Sequence, residues 1–183
     1  FASSLTGFSR FFNCEFDGNR VIADIPFQFG NRAFGASIAV VQLETQLSIE
    51  SCTFRNGLSR VSVSGGYGTG PSEILVDGIT GSSINFISNV VRDSNIEYLD
   101  TDQNTVDPTS ANGVLLKADQ VLIVGSEFRN LPGSGLGIWN TLGQGQVSLF
   151  GSDFFNCGTV KLEVPSICSG CDFYERSEEH TSE

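Results

Sequence analysis

Residues 119–156 read DQVLIVGSEFRNLPGSGLGIWNTLGQGQVSLFGSDFFN, and they contain one pattern twice. The segment IVGSEFRN, from Ile123 to Asn130, returns 26 residues later as LFGSDFFN, from Leu149 to Asn156. Each copy has an apolar residue, two small residues, an acid, a Phe five after the apolar residue, and an Asn two after the Phe. A Gly-rich turn and a short apolar strand, Gly135 to Trp139, lie between them. The unit therefore reads strand, tight corner, strand, turn, strand, turn. A unit this small cannot bury its own apolar face, so it must stack on copies of itself.

The same unit runs through the whole chain. Its Phe column is Phe16, Phe54, Val91, Phe128, Phe154 and Phe173, with spacings of 38, 37, 37, 26 and 19 residues. Five positions earlier stand Phe11, Ile49, Phe86, Ile123, Leu149 and Cys168. The corner between them is small or polar: Cys14, Cys52, Asn89, Ser126, Ser152 and Cys171. A third strand follows in each turn, at 36–42, 73–77, 113–117, 135–139 and, more weakly, 160–164. Irregular spacing argues against a propeller, whose commonest blades repeat at roughly 40–45 residues. It suits a solenoid, where insertions loop out without disturbing the stack. Three insertions, at 20–34, 58–72 and 94–112, fall between the second and third strands of successive turns. Loops gathered on one side of a stack wall a groove.

These repeated cores, with the corners CTFRNG, SEFRN and SDFFN, resemble those of the right-handed parallel β-helix group, the pectin-lyase-like proteins. The resemblance covers 1–175 and implies an all-β, right-handed parallel β-helix of about six rungs with long loops on one face. It also implies a secreted or cell-surface protein that handles acidic polysaccharide. If the chain is an enzyme, that implies a polysaccharide lyase, an epimerase or a glycoside hydrolase, often helped by Ca²⁺. The competing expectation is a non-catalytic structural or adhesive solenoid. The motifs encode stacking rather than chemistry, so they do not choose between the two.

Composition bounds the chemistry further. There are 21 Gly, 15 Phe and no Met, and β-branched and aromatic residues alternate between Gly, Asn, Asp and Ser, as strands require. No apolar run approaches the 18 or so residues of a membrane span. No basic-then-apolar leader opens the sequence, and its first residue is Phe, so the natural start is expected upstream. The last eight residues, RSEEHTSE at 176–183, break the repeat and resemble the translation of a common short-read sequencing adapter. Removing that tail takes away one arginine, three acids and the sole histidine, His180, and moves the net charge from −11 to −9. Without histidine, neither a Ser-His-Asp nor a Cys-His nucleophile can be assembled, nor a His-ligated zinc site. A pI near 4.4 is the wrong sign for binding nucleic acid. The stretch GGYGTG at 65–70 lacks the Lys-Ser/Thr ending of a phosphate loop and reads as a flexible loop.

Two constellations remain as candidate sites. Arg55, Arg92 and Arg129 each follow the column Phe or Val on three consecutive rungs. If the Phe points inward these arginines point out, about 4.7–4.9 Å apart. Three crowded like charges need anions. The anions can come from a bound uronate or sulfate held by the guanidinium fork, or from Asp93, Glu127 and loop acids. Tyr98, in the third insertion, joins the three arginines as a sugar-binding candidate. The second constellation is Glu97, Asp100, Asp102 and Asp107, an oxygen-rich insertion that suits Ca²⁺ but equally reads as a solvated acidic loop. DTDQNT lacks the Gly and terminal Glu of an EF-hand loop. A pair of these carboxylates could also serve a glycosidase. The cysteines at 168 and 171 form a CxxC, but both fall on repeat columns and no thioredoxin-like βαβ surrounds them, so they read as column fillers. One disulfide among Cys157, Cys168 and Cys171 stays open.

Overall fold

The structure, a computed structural model, describes residues 4–23, 37–63, 73–100, 112–131, 134–139, 145–157, 160–162 and 166–174. Within them lie twenty strands, numbered in chain order, and no helix. Every pairing between strands is parallel, and the strands gather into four sheets that successive turns revisit in the same order. This all-parallel pairing is consistent with a parallel β-solenoid. The first sheet holds β1 (Ser9–Phe12), β5 (Gln46–Glu50), β9 (Ser83–Ile87), β13 (Gln120–Val124), β16 (Gln146–Phe150) and β19 (Ser166–Ser169). The second holds β2 (Glu15–Asp17), β6 (Thr53–Arg55), β10 (Val90–Arg92), β14 (Glu127–Leu131), β17 (Asp153–Cys157) and β20 (Asp172–Tyr174). The sheet of the expected third strands holds β4 (Ile38–Leu43), β8 (Ile74–Gly78), β12 (Asn112–Lys117), β15 (Ser134–Trp139) and β18 (Val160–Leu162).

The remaining sheet corrects an expectation. Each of the three insertions opens with a strand rather than a loop: β3 (Arg20–Ala23), β7 (Leu58–Val63) and β11 (Asn95–Asp100) pair with one another. Once the second corner has set three chain segments side by side, their backbone groups must find partners, and pairing rung to rung satisfies them. Residues 24–34, 64–72 and 101–111 of the insertions, and the tail 176–183, lie outside the described residues.

The registers reproduce the columns read from sequence. Phe16, Phe54, Val91, Phe128, Phe154 and Phe173 are successive Cα partners. Their rings stack face to face: Phe16 on Phe54 at 4.8 Å, Phe128 on Phe154 at 4.9 Å, Phe154 on Phe173 at 4.8 Å. Val91 interrupts the column, and the gap is filled from the side. Phe86, in the neighbouring inward column where the adjacent rungs carry Ile49 and Ile123, reaches Phe128 at 5.8 Å. Phe54, Phe86, Phe128 and Phe154 are all within 2% of full burial. On the third rung the larger and smaller core residues have traded places, which keeps the filled volume within about one methylene of its neighbours, as close packing favours.

Two corners per turn take the left-handed backbone conformation. Asn13, Ser51, Ser88, Gly125, Gly151 and Gly170 form the first, with φ between 52° and 63°. Gly18, Asn56, Asp93, Asn130 and Asn156 form the second, at 47° to 66°. Gly, Asn and Asp tolerate this region, which explains their recurrence. Just after the first corner, the interior residue of the first four rungs points its backbone N–H along the stack. The next rung supplies the acceptor: Cys14 N donates to Cys52 Sγ (3.4 Å), Cys52 N to Asn89 Oδ1 (2.9 Å), Asn89 N to Ser126 Oγ (3.2 Å) and Ser126 N to Ser152 Oγ (3.2 Å). The corner column is small so that it fits and polar so that it can accept. All five cysteines are free thiols, and Cys14, Cys52 and Cys171 fill this column.

Candidate functional site

The outer face of the second sheet carries the arginines. Short strands with the inward Phe or Val at their centre force both neighbours outward. Arg55, Arg92 and Arg129 are consecutive Cα partners, so the column exists as read. It runs on in both directions: Asp17 precedes Arg55, and Phe155 and Tyr174 follow Arg129. Arg129 lies over the Phe155 ring at 4.3 Å, and Phe155 stacks on Tyr174 at 4.5 Å.

Each arginine has a carboxylate beside it. Arg55 Nη2 contacts Glu15 at 2.7 Å and Asp17 at 2.9 Å, which leaves its buried Nε without a partner among the described residues. Arg129 pairs with Glu127 through Nε. Arg92 is the loosest, reaching Asp93 only at 3.9 Å. Asp17 is held below the ordinary carboxylate value first by the Asn56 amide, which donates at 2.8 Å, and then by Arg55 and Arg92. A ladder of side-chain amides continues along the second corner, with Asn130 donating to Asp93 at 2.7 Å and Asn156 to Asn130 at 3.0 Å. Three arginines thus stand among Glu15, Asp17, Asp93, Glu127, Asp153 and Asp172. That acidity is felt at the far end, where Asp172 first, and then burial, push the Tyr174 phenol up.

Three of the other candidates belong to a different sheet. Glu97, Tyr98 and Asp100 lie on β11, the strand that opens the third insertion, in register with Arg60, Val61 and Val63 of β7. Asp102 and Asp107 lie outside the described residues. Among the described residues, no group of three or more His, Cys, Asp or Glu side chains could hold a metal ion. No helix among them is long and apolar enough to cross a membrane.

One ionisable residue escaped the sequence reading. Glu73, at the threshold of β8, is fully buried. Its Oε1 accepts from the Gly57 N–H at 2.8 Å and the Ser94 hydroxyl at 2.7 Å, and its Oε2 accepts from Ser37 at 2.6 Å. Burial pushes its carboxyl above the ordinary value, against the pull of those donors. A Cβ at position 57 would collide with the carboxylate, which accounts for Gly57. The only sequence signal is an acid heading an apolar run, EILV at 73–76. Glu73 ties the threshold of β8 to Gly57 and Ser94, just past the second corners of two successive rungs, and to Ser37 at the threshold of β4.

Compared with protein-family models, with curated proteins and with solved structures, the chain matches none.

Proposed function

We propose that the chain is part of a right-handed parallel β-helix of the pectin-lyase-like type, secreted or displayed on a cell surface, that binds acidic polysaccharide along the outer face of its second sheet. The right hand is the one that parallel crossover connections overwhelmingly adopt. The compartment and the sugar come from the sequence resemblance. The observation that carries the binding role is Arg92, flanked in register by Arg55 and Arg129 and touched by its own acid only at 3.9 Å. Exposed ion pairs contribute little and exchange readily, so a polymer bearing several carboxylates can compete for the guanidinium forks through multivalency.

A second reading, a non-catalytic structural or adhesive solenoid, is favoured by the carboxylates beside all three arginines. In that case the column neutralises itself and serves only to line up the rungs. Titration of the protein with oligogalacturonate separates the two. On the binding reading, Arg92→Ala weakens the complex and the loss shrinks as salt rises, because screening removes what the charge contributed. Arg92→Lys keeps the charge but not the fork, and it falls between parent and Arg92→Ala. Absence of oligogalacturonate binding by the parent, with or without Ca²⁺, leaves the structural solenoid as the account.

A further inference from the structure

The first sheet has an outer face of different chemistry. A shallow groove of about 320 Å³ crosses β5, β9, β13 and β16 there. One column along it is Gln46, Ser83, Gln120 and Gln146, successive Cα partners on four rungs. Asn85 and Ser148 line it two residues further along their strands, with Leu122 between them in register. Among the described residues, the side chains of these six polar residues have no hydrogen-bond partner, unlike the arginines of the second sheet. Among the described residues no charged one lines the groove, in a chain whose net charge is −11. Of the charges bordering it, Asp119, next to Gln120, accepts from the Gly81 N–H, and Glu50, at the far end of β5, pairs with Arg10 and accepts from Ser48.

We propose that this groove is a second binding site, for an uncharged, hydroxyl-rich polysaccharide chain lying across the rungs. The chemistry selects the occupant. Amide and hydroxyl side chains both donate and accept, which matches sugar hydroxyls, whereas a polyanion finds no cation there and a polycation no carboxylate. Leu122 offers an apolar surface to the C–H face of a sugar ring. An added peptide strand is disfavoured, because the main-chain groups on a sheet face are consumed in the ladder and only an edge can be extended. Four rungs at strand spacing give the row of polar groups a length of roughly 14 Å. The volume falls within the range of ordinary ligand sites, about 300–1,000 Å³.

The site does not depend on the arginine column, and the experiment keeps the two apart. Calorimetric titration of the whole chain with cellohexaose, mannohexaose and xylohexaose is the probe. At least one of the three binds saturably, with an affinity unchanged by about a tenfold rise in salt. The double variant Asn85→Ala with Gln120→Ala weakens that binding by about tenfold, as the loss of two hydrogen bonds between neutral partners implies. Arg92→Ala leaves it unchanged. Both substituted side chains lie outside the core, and the double variant's melting temperature matches the parent's. No saturable binding to any of the three overturns the proposal. So does undiminished binding by the folded double variant, or an Arg92→Ala loss as large as its own. Failure of oligogalacturonate binding bears only on the arginine column.

Discussion

At Glu73 a carboxylate is sealed inside the protein with two hydroxyls and a backbone N–H for company. Burying a charge this way is costly, and the folded chain holds the proton more tightly than the unfolded chain does. The sign follows. The stability attached to Glu73 is complete below its unfolded value, near 4.5, and is lost as pH rises from there through the folded value. Asp17 and Glu50 are shifted the other way, Glu50 mainly by the Ser48 hydroxyl and then by Arg10, so their contribution is lost as pH falls below the usual carboxylate range. Glu73→Gln keeps the acceptor for Gly57 and Ser94, and the Ser37 hydroxyl can turn to accept from the new amide. Urea unfolding followed from pH 4.5 upward therefore declines less steeply for Glu73→Gln than for the parent; equal slopes would show that Glu73 carries no such linkage. None of this was legible in the sequence. The partners of Glu73 lie 36, 16 and 21 residues away, and only the coiling of the chain brings them together. The corner column was legible as small and polar, but not why: its side chains accept the N–H that a left-handed corner strands inside.

Among the elements, strands carrying a repeated position were readable and strands without one were not. The Phe column emerged because the same side chain returns at each rung and stacks on itself. The segments RVIA, LSRVSV and NIEYLD of β3, β7 and β11 share no pattern, and what makes them strands is the neighbour each finds across the rung. The third rung offers a sharper test of the packing argument. Val91→Phe alone forces a ring into space that Phe86 already occupies, and Phe86→Ile alone leaves a void; each should cost more than about 1 kcal/mol. Together they restore the arrangement of the second and fourth rungs, Ile inside the first sheet and Phe inside the second. The double variant is expected to be more stable than the sum of the single changes implies, by about 0.5–3 kcal/mol of coupling in a double-mutant cycle. Strict additivity would mean that the two side chains do not share a space.

For the whole molecule, coiling turns each outward position of the repeat into a line of side chains, and the faces differ because their lines differ. The arginine line could be read from the sequence because three rungs repeat it. Asp93 and Glu127 were visible as its neighbours, whereas Glu15 and Asp17 reach Arg55 from the preceding rung and were not. The uncharged groove was missed because its members share no residue type, only a register. All of this rests on the rungs being stacked in register from one end to the other. Glu15 and Asp172, both exposed, stand at the two ends of one column of the second sheet, five strand spacings apart. Spin labels carried there on a keto amino acid, which leaves the native cysteines untouched, give that span directly by pulsed dipolar spectroscopy. The stacked solenoid predicts one narrow distance distribution centred near 24 Å, widened only by the label arms. A broad distribution, or one centred far from that value, would contradict the stack and every column built on it.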